Sequence, residues 1–108
     1  MSKPLGQFEL LLLLAVLRLG DRAYGVTIRR ELAERTGRVV SAGAVYTALE
    51  RLERRGLATS WLGEPTAERG GRAKRYYRVL PAGEEAVVRT QALLRGLAAD
   101  LGPRFEAP

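Results

Sequence analysis

Hydrophobic positions along this chain recur first at helical and then at strand spacing. Residues 5–19 are apolar around most of a helical circumference, with an unbroken run of eight from Leu10 to Leu17 between Glu9 and Arg18. That pattern predicts a helix buried on several sides, stopped at Gly20 and Asp21. Tyr24, Ile28 and Leu32 recur at four-residue intervals and predict a second helix over 24–36. Gly37 follows, suited to a left-handed C-terminal cap. A third helix is predicted over 41–55: Ser41 can accept a hydrogen bond from a free backbone N–H at the start, and Val45, Leu49 and Leu52 form one apolar stripe. Arg54 and Arg55 stand in the last turn, where the helix dipole favours cations, and Gly56 closes it.

The period then changes. Residues 57–63 are short, largely apolar and include Thr59 and Trp61, so they predict a strand in which Trp61 is a packed residue. Residues 72–80 predict the returning strand, with Tyr77 and Val79 on the core face and Tyr76 and Arg78 opposite. Gly63, Pro65, Gly70 and Gly71 punctuate the stretch between, and 64–71 predicts an extended loop longer than an ordinary hairpin turn. Pro81 opens a last helix predicted over 81–101, weakened by Gly83 and Gly96 and ended by Pro103. Val87, Leu94 and Leu101 repeat every seven residues there, with Thr90 and Leu97 between them, the spacing of a short coiled-coil seam.

This order predicts a mainly α fold with a small β-hairpin: a winged helix-turn-helix over 1–80, followed by a dimerisation helix and tail over 81–108. Two short strands cannot stand alone and need the preceding helices to pack on. The seam of Val87, Thr90, Leu94, Leu97 and Leu101 could instead pack on its own domain, but that core is already supplied by three helices and the hairpin, so a second copy of the chain is the simplest partner.

Composition narrows the chemistry. The chain has 108 residues, no Cys and no His. That removes disulfides, thiolate chemistry, the usual zinc sites and the Ser-His and Cys-His nucleophile systems. No nucleophile–base pair or metal set is left, so neither an enzyme nor a cofactor is expected. The Leu10–Leu17 run is far short of the ~20 residues a membrane helix needs, and its flanks do not suit a signal peptide. A soluble, cytoplasmic protein is expected.

Net charge is +6, and sixteen of the eighteen cations are Arg. Arg presents a planar fork that suits phosphate, so the bias favours contact with a polyanion. Ala42, Gly43 and Ala44 leave the start of the third helix uncrowded, so its backbone N–H groups can approach phosphate. Tyr46, Thr47 and Arg51 lie away from the apolar stripe; Thr47 is placed for a base edge and Arg51 for guanine or phosphate. Arg69, Arg72, Lys74, Arg75 and Arg78 put five cations and no acid into ten residues around Gly70 and Gly71. The glycine spacing and the lack of Ser or Thr after Lys74 exclude a P-loop. The candidate DNA contacts are therefore Ser41, Ala42, Gly43, Tyr46, Thr47 and Arg51 from the reading helix, with Arg69, Gly70, Arg72 and Lys74 from the wing. A winged-helix adaptor that meets an acidic protein partner instead of DNA stays open as the alternative.

Four segments carry a family likeness: Leu5-Gly6-Gln7-Phe8-Glu9-Leu10, Ala23-Tyr24-Gly25-Val26-Thr27-Ile28, the stretch from Ser41 through Tyr46 to Leu57, and Gly71-Arg72-Ala73-Lys74-Arg75-Tyr76-Tyr77-Arg78-Val79. In this order they resemble the PadR family of bacterial transcriptional regulators, over nearly the whole chain. The resemblance implies a winged-helix domain, a C-terminal dimerisation helix as in the short-tailed subgroup, and repression by binding palindromic promoter DNA. It also implies release of DNA by a small-molecule effector, though no polar cluster here identifies one. One departure is visible. The family usually places Thr just before the last helix, where this chain has Leu80; losing such a cap costs about 1 kcal/mol.

Overall fold

In the computed structural model of the chain, residues 3–64 and 73–106 are described. Four helices and one hairpin follow in the order α1 (Gln7–Leu19), α2 (Gly25–Thr36), α3 (Ala42–Arg54), β1 (Ala58–Leu62), β2 (Arg75–Val79) and α4 (Pro81–Ala98). Short 3-10 turns at Gly20–Arg22 and Pro103–Phe105 complete it. The loop expected over 64–71 lies, apart from Glu64, outside the described residues.

α1 is the central helix. Leu12, Leu13, Ala15, Val16 and Leu19 are buried, and Phe8, Leu10, Leu11 and Leu14 pack around them. A helix that is apolar on nearly all sides needs neighbours on nearly all sides, and α1 touches α2, α3, α4 and β2. Ile28 and Leu32 from α2 and Val45, Leu49 and Leu52 from α3 close the core, with Tyr77 and Val79 from the hairpin.

Polar clamps fix how the helices cross. The Gly6 N–H donates to Glu9 Oε1 at 2.9 Å, a carboxylate reaching back over the first turn of α1. The other oxygen of Glu9 receives Arg55 at 3.0 Å, which ties the end of α3 to the start of α1. Arg18 and Arg35 both reach Glu31, at 2.9 and 3.1 Å, so one carboxylate links α1 and α2. The hydrogen bond from Arg18, and after it Arg35, hold Glu31 below its ordinary value against a partial burial that pushes it up.

The strands pair antiparallel with Ala58 opposite Val79, Ser60 opposite Tyr77 and Leu62 opposite Arg75. The sheet has an added edge in the α1–α2 connection. Tyr24 bridges Tyr76, and the Tyr77 N–H donates to the Ala23 carbonyl at 2.9 Å. The hairpin is thereby joined to the residue that caps α2 as well as to α3.

α4 departs from the expected seam in two ways. Val87 and Thr90 are buried in the chain's own core, at 4% and 6% exposure, and are not open to a partner. The reason is local: α4 lies on α1, and Thr90 Oγ1 accepts the Leu5 N–H at 3.2 Å in a buried hydrogen bond that pins the N-terminal segment. The helix also ends at Ala98, not at Leu101. Asp100 takes a left-handed conformation at φ 65°, which a short polar side chain tolerates, so Leu101 falls outside the helical register. Only Leu94 and Leu97 of the five seam residues are both helical and exposed.

The start of α4 explains Gly83. The Leu57 carbonyl accepts the Leu80 N–H at 2.9 Å, and a Cβ on Gly83 would overlap that same carbonyl oxygen and approach Val79 Cγ1 to 2.8 Å. Leu80 makes no side-chain cap, although its carbonyl accepts the N–H groups of Gly83 and Glu84.

Candidate nucleic-acid interface

α3 is held by its buried stripe and shows its other side to solvent. Ser41 Oγ accepts the Ala44 N–H at 3.1 Å, as a serine N-cap should. The turn before it is built from side chain to backbone. Thr36 Oγ1 donates to the Leu32 carbonyl at 2.6 Å, and Gly37 is left-handed at φ 72°. Arg29 Nε donates to the Val40 carbonyl at 3.1 Å, which fixes α2 to the entry of α3.

Gly43, Ala44, Tyr46, Thr47, Glu50, Arg51 and Arg54 are exposed along α3. Nothing lies within 4 Å of where a Cβ on Gly43 would project, so the first turn of the helix is open. Ala42 is half-buried. Thr47 and Arg51 face solvent, and Arg51 borders a shallow hollow shared with Lys3, Gly6 and Gln7. Tyr46 is only partly free: its hydroxyl end sits over Gly25, where any side chain would overlap the ring. Gly25 is thus a close-approach position that periodicity could not reveal. Its only signal in the sequence was its place in the Tyr24-Gly25-Val26 segment.

A groove of about 700 Å³ separates α3 from the hairpin. Tyr24, Tyr46, Glu50, Glu53, Ser60, Lys74 and Arg75 line it. Arg75 donates to Ser60 Oγ at 3.1 Å, and Ser60 donates to Glu53 Oε2 at 2.9 Å, so a relay crosses from β2 to α3. This relay was not foreseen, because its three members are far apart in the sequence. Behind it, burial foremost and the Glu53 carboxylate second push the Tyr77 phenol above its ordinary value, so it stays neutral in the core.

The outer face of the hairpin is a ladder of rings and cations. Trp61 stacks on Tyr76 at 6.0 Å, Tyr76 meets Tyr24 edge-on at 5.5 Å, Arg78 covers Trp61 at 5.1 Å and Lys74 Nζ lies 4.9 Å from the Tyr24 ring. Trp61 is accordingly packed by its neighbours but exposed at the surface, not buried as a strand residue in a core would be. Lys74, expected at phosphates, stands at the foot of the wing and is exposed. Arg69, Gly70 and Arg72 lie outside the described residues. The structure therefore brings Ser41, Ala42, Gly43, Tyr46, Thr47 and Arg51 onto one helix, with Lys74 across the groove. Among the described residues no group of three or more acids converges as metal ligands would, and no helix is long and apolar enough to cross a membrane.

The model of the transcriptional regulator PadR-like family matches residues 13–89. Among solved structures, a PadR family transcription regulator from Clostridium difficile aligns with a TM-score of 0.69 at 24% identity, covering 85% of this chain and 91% of that one. A transcriptional regulator from Clostridium thermocellum aligns with a TM-score of 0.66 at 26% identity, covering 79% and 77%. A PadR family transcriptional regulator from Eggerthella lenta aligns at 0.64 and 26% identity, covering 88% and 83%. No curated protein sequence gives a significant match.

Proposed function

The chain belongs to the PadR-like family of transcriptional regulators, and on that premise we propose that it is a homodimeric repressor that binds a palindromic promoter site in the cytoplasm. The observation that carries this reading is α3: a capped helix with an open first turn, beside a hairpin that leaves a groove along its flank. In this reading α3 enters the major groove, where Thr47 and Arg51 meet base edges or phosphate and Ser41, Ala42 and Gly43 let the backbone N–H groups approach the strand. Tyr46 supports α3 from the α2 side and contacts the backbone of the duplex. Arg69, Arg72 and Lys74, with Gly70 allowing close approach, hold phosphates from the wing. Dimerisation places two such helices about one DNA turn apart, which matches an inverted repeat.

The exposed apolar end of α4 supports the dimer. Leu93, Leu94 and Leu97 stand out from its last turns, and such a cluster is costly in water unless covered. A small-molecule effector that releases DNA completes the reading by analogy with the family.

Gel shift of the protein on its own upstream intergenic DNA is the direct test. Tight binding that weakens steeply with salt is expected, and the paired variant Arg72→Ala with Lys74→Ala should flatten the log–log salt slope by ~0.9 for each lost contact. An unchanged slope removes the wing from the interface. No binding in dilute buffer favours the adaptor, whose basic face would meet an acidic protein.

A further inference from the structure

Two carboxylates stand one turn apart on the hairpin side of α3, and the fold treats them differently. Glu53 is half-buried and engaged: Ser60 donates to it, and Arg75 donates to Ser60. Glu50 is exposed on the face shared with Thr47 and Arg54 and receives no hydrogen bond or ion pair among the described residues. Among the described residues, the cations that line the groove with it are engaged elsewhere. Lys74 lies over the Tyr24 ring, and Arg75 is on Ser60. Arg54 sits four residues on, the spacing and order that favour a helical ion pair, yet the two do not pair.

An unneutralised carboxylate on a surface that approaches phosphate is repulsive. It fits such a surface when a base edge offers it a donor. In the major groove cytosine offers its N4 amino group, which carboxylates accept from. We propose that Glu50 is a specificity-determining residue that selects cytosine at one position of each half-site. This rests on the reading of α3 as the DNA-reading helix. The carboxylate lowers affinity for duplex in general and restores it where the cytosine amino group lies beneath it.

Selection of binding sites from randomised duplex DNA, run on the full chain and on Glu50→Ala and Glu50→Gln, tests this. The unaltered protein should enrich cytosine at one position per half-site by ~5-fold or more. Glu50→Ala should lose that preference alone and bind random duplex more tightly. Glu50→Gln should move the preference toward adenine, whose N6 and N7 suit an amide. The side chain is exposed, so both variants should keep the thermal midpoint of the parent, which melting checks. If both variants return the parent's full site, or if the position that changes carried adenine, guanine or thymine, Glu50 does not read cytosine, while the DNA-binding reading stands. If the unaltered protein enriches no site, the reading of α3 fails and this inference falls with it.

Discussion

The two halves of α4 carry the same spacing of apolar residues and meet different surroundings. In the first half Gly83, Ala86, Val87 and Thr90 are buried against α1 and the hairpin. In the second, Leu94 is 56% and Leu97 80% exposed. A seven-residue repeat specifies a stripe along a helix but not what the stripe lies against. Here one stripe is buried at its start and exposed at its end. Its opening turns complete the winged helix, and in the proposed dimer its closing turns meet a second copy. Treating all five seam residues as dimer contacts assigned the core's share of α4 to the partner.

The largest expected effect falls on the inner half. Gly83→Ala places a methyl group on the Leu57 carbonyl, and backbone cannot rotate aside as a side chain can. Overpacking of this kind should cost about 3 kcal/mol, read as a lower urea midpoint. A midpoint unchanged within error would mean that α4 does not dock on Leu57. The outer half should respond in the opposite way. Replacing Leu94 and Leu97 together by Lys should weaken self-association by about 100-fold or more, since it exchanges apolar contact for like charge. The helical circular dichroism signal should persist. Light scattering that still shows a tight dimer would place the interface elsewhere.

Thr90→Val sharpens the boundary between the halves. It preserves shape but leaves the buried Leu5 N–H without its acceptor, at a cost of about 1–2 kcal/mol. Dimer affinity, compared by sedimentation, should not change. A fall in self-association without loss of stability would return Thr90 to the seam.

The smallest expected effect is pH dependence near neutrality. With no His and no Cys, no side chain of either half has an ordinary titration between about pH 6 and 8, and the rise at Tyr77 moves that phenol further away. Stability and self-association should be flat there. Acid is different. Glu31 is held below its ordinary value by Arg18 and Arg35, so its contribution is present above the unfolded-state value. It is lost as pH falls through the lower folded value. Melting in acid should therefore show a loss that Glu31→Gln reduces. Equal acid sensitivity in that variant would mean that other carboxylates carry it.

Much of the fold was legible locally. The caps at Ser41 and Gly37, the stripes of α2 and α3, and the burial of Tyr77 and Val79 follow from spacing and residue type, because each depends on neighbours within a few positions. The open face of α3 was legible for the same reason. Contacts across the chain were not. Glu9 with Arg55, Leu5 with Thr90, and Arg75 with Ser60 and Glu53 join residues far apart in sequence, and no period marks them. Gly83 looked like a weak point of its helix, yet it, like Gly25, is where another part of the chain comes too close for a side chain.

Residue order alone determined the elements, their sequence along the chain, the basic charge and the absence of thiol and imidazole chemistry, because these are local or compositional quantities. Packing decided which turns of α4 face inward, where that helix stops, and which of two neighbouring carboxylates on α3 is left without a partner among the described residues. Those depend on what a distant segment presents at a few ångströms, and a linear pattern holds no distances between segments.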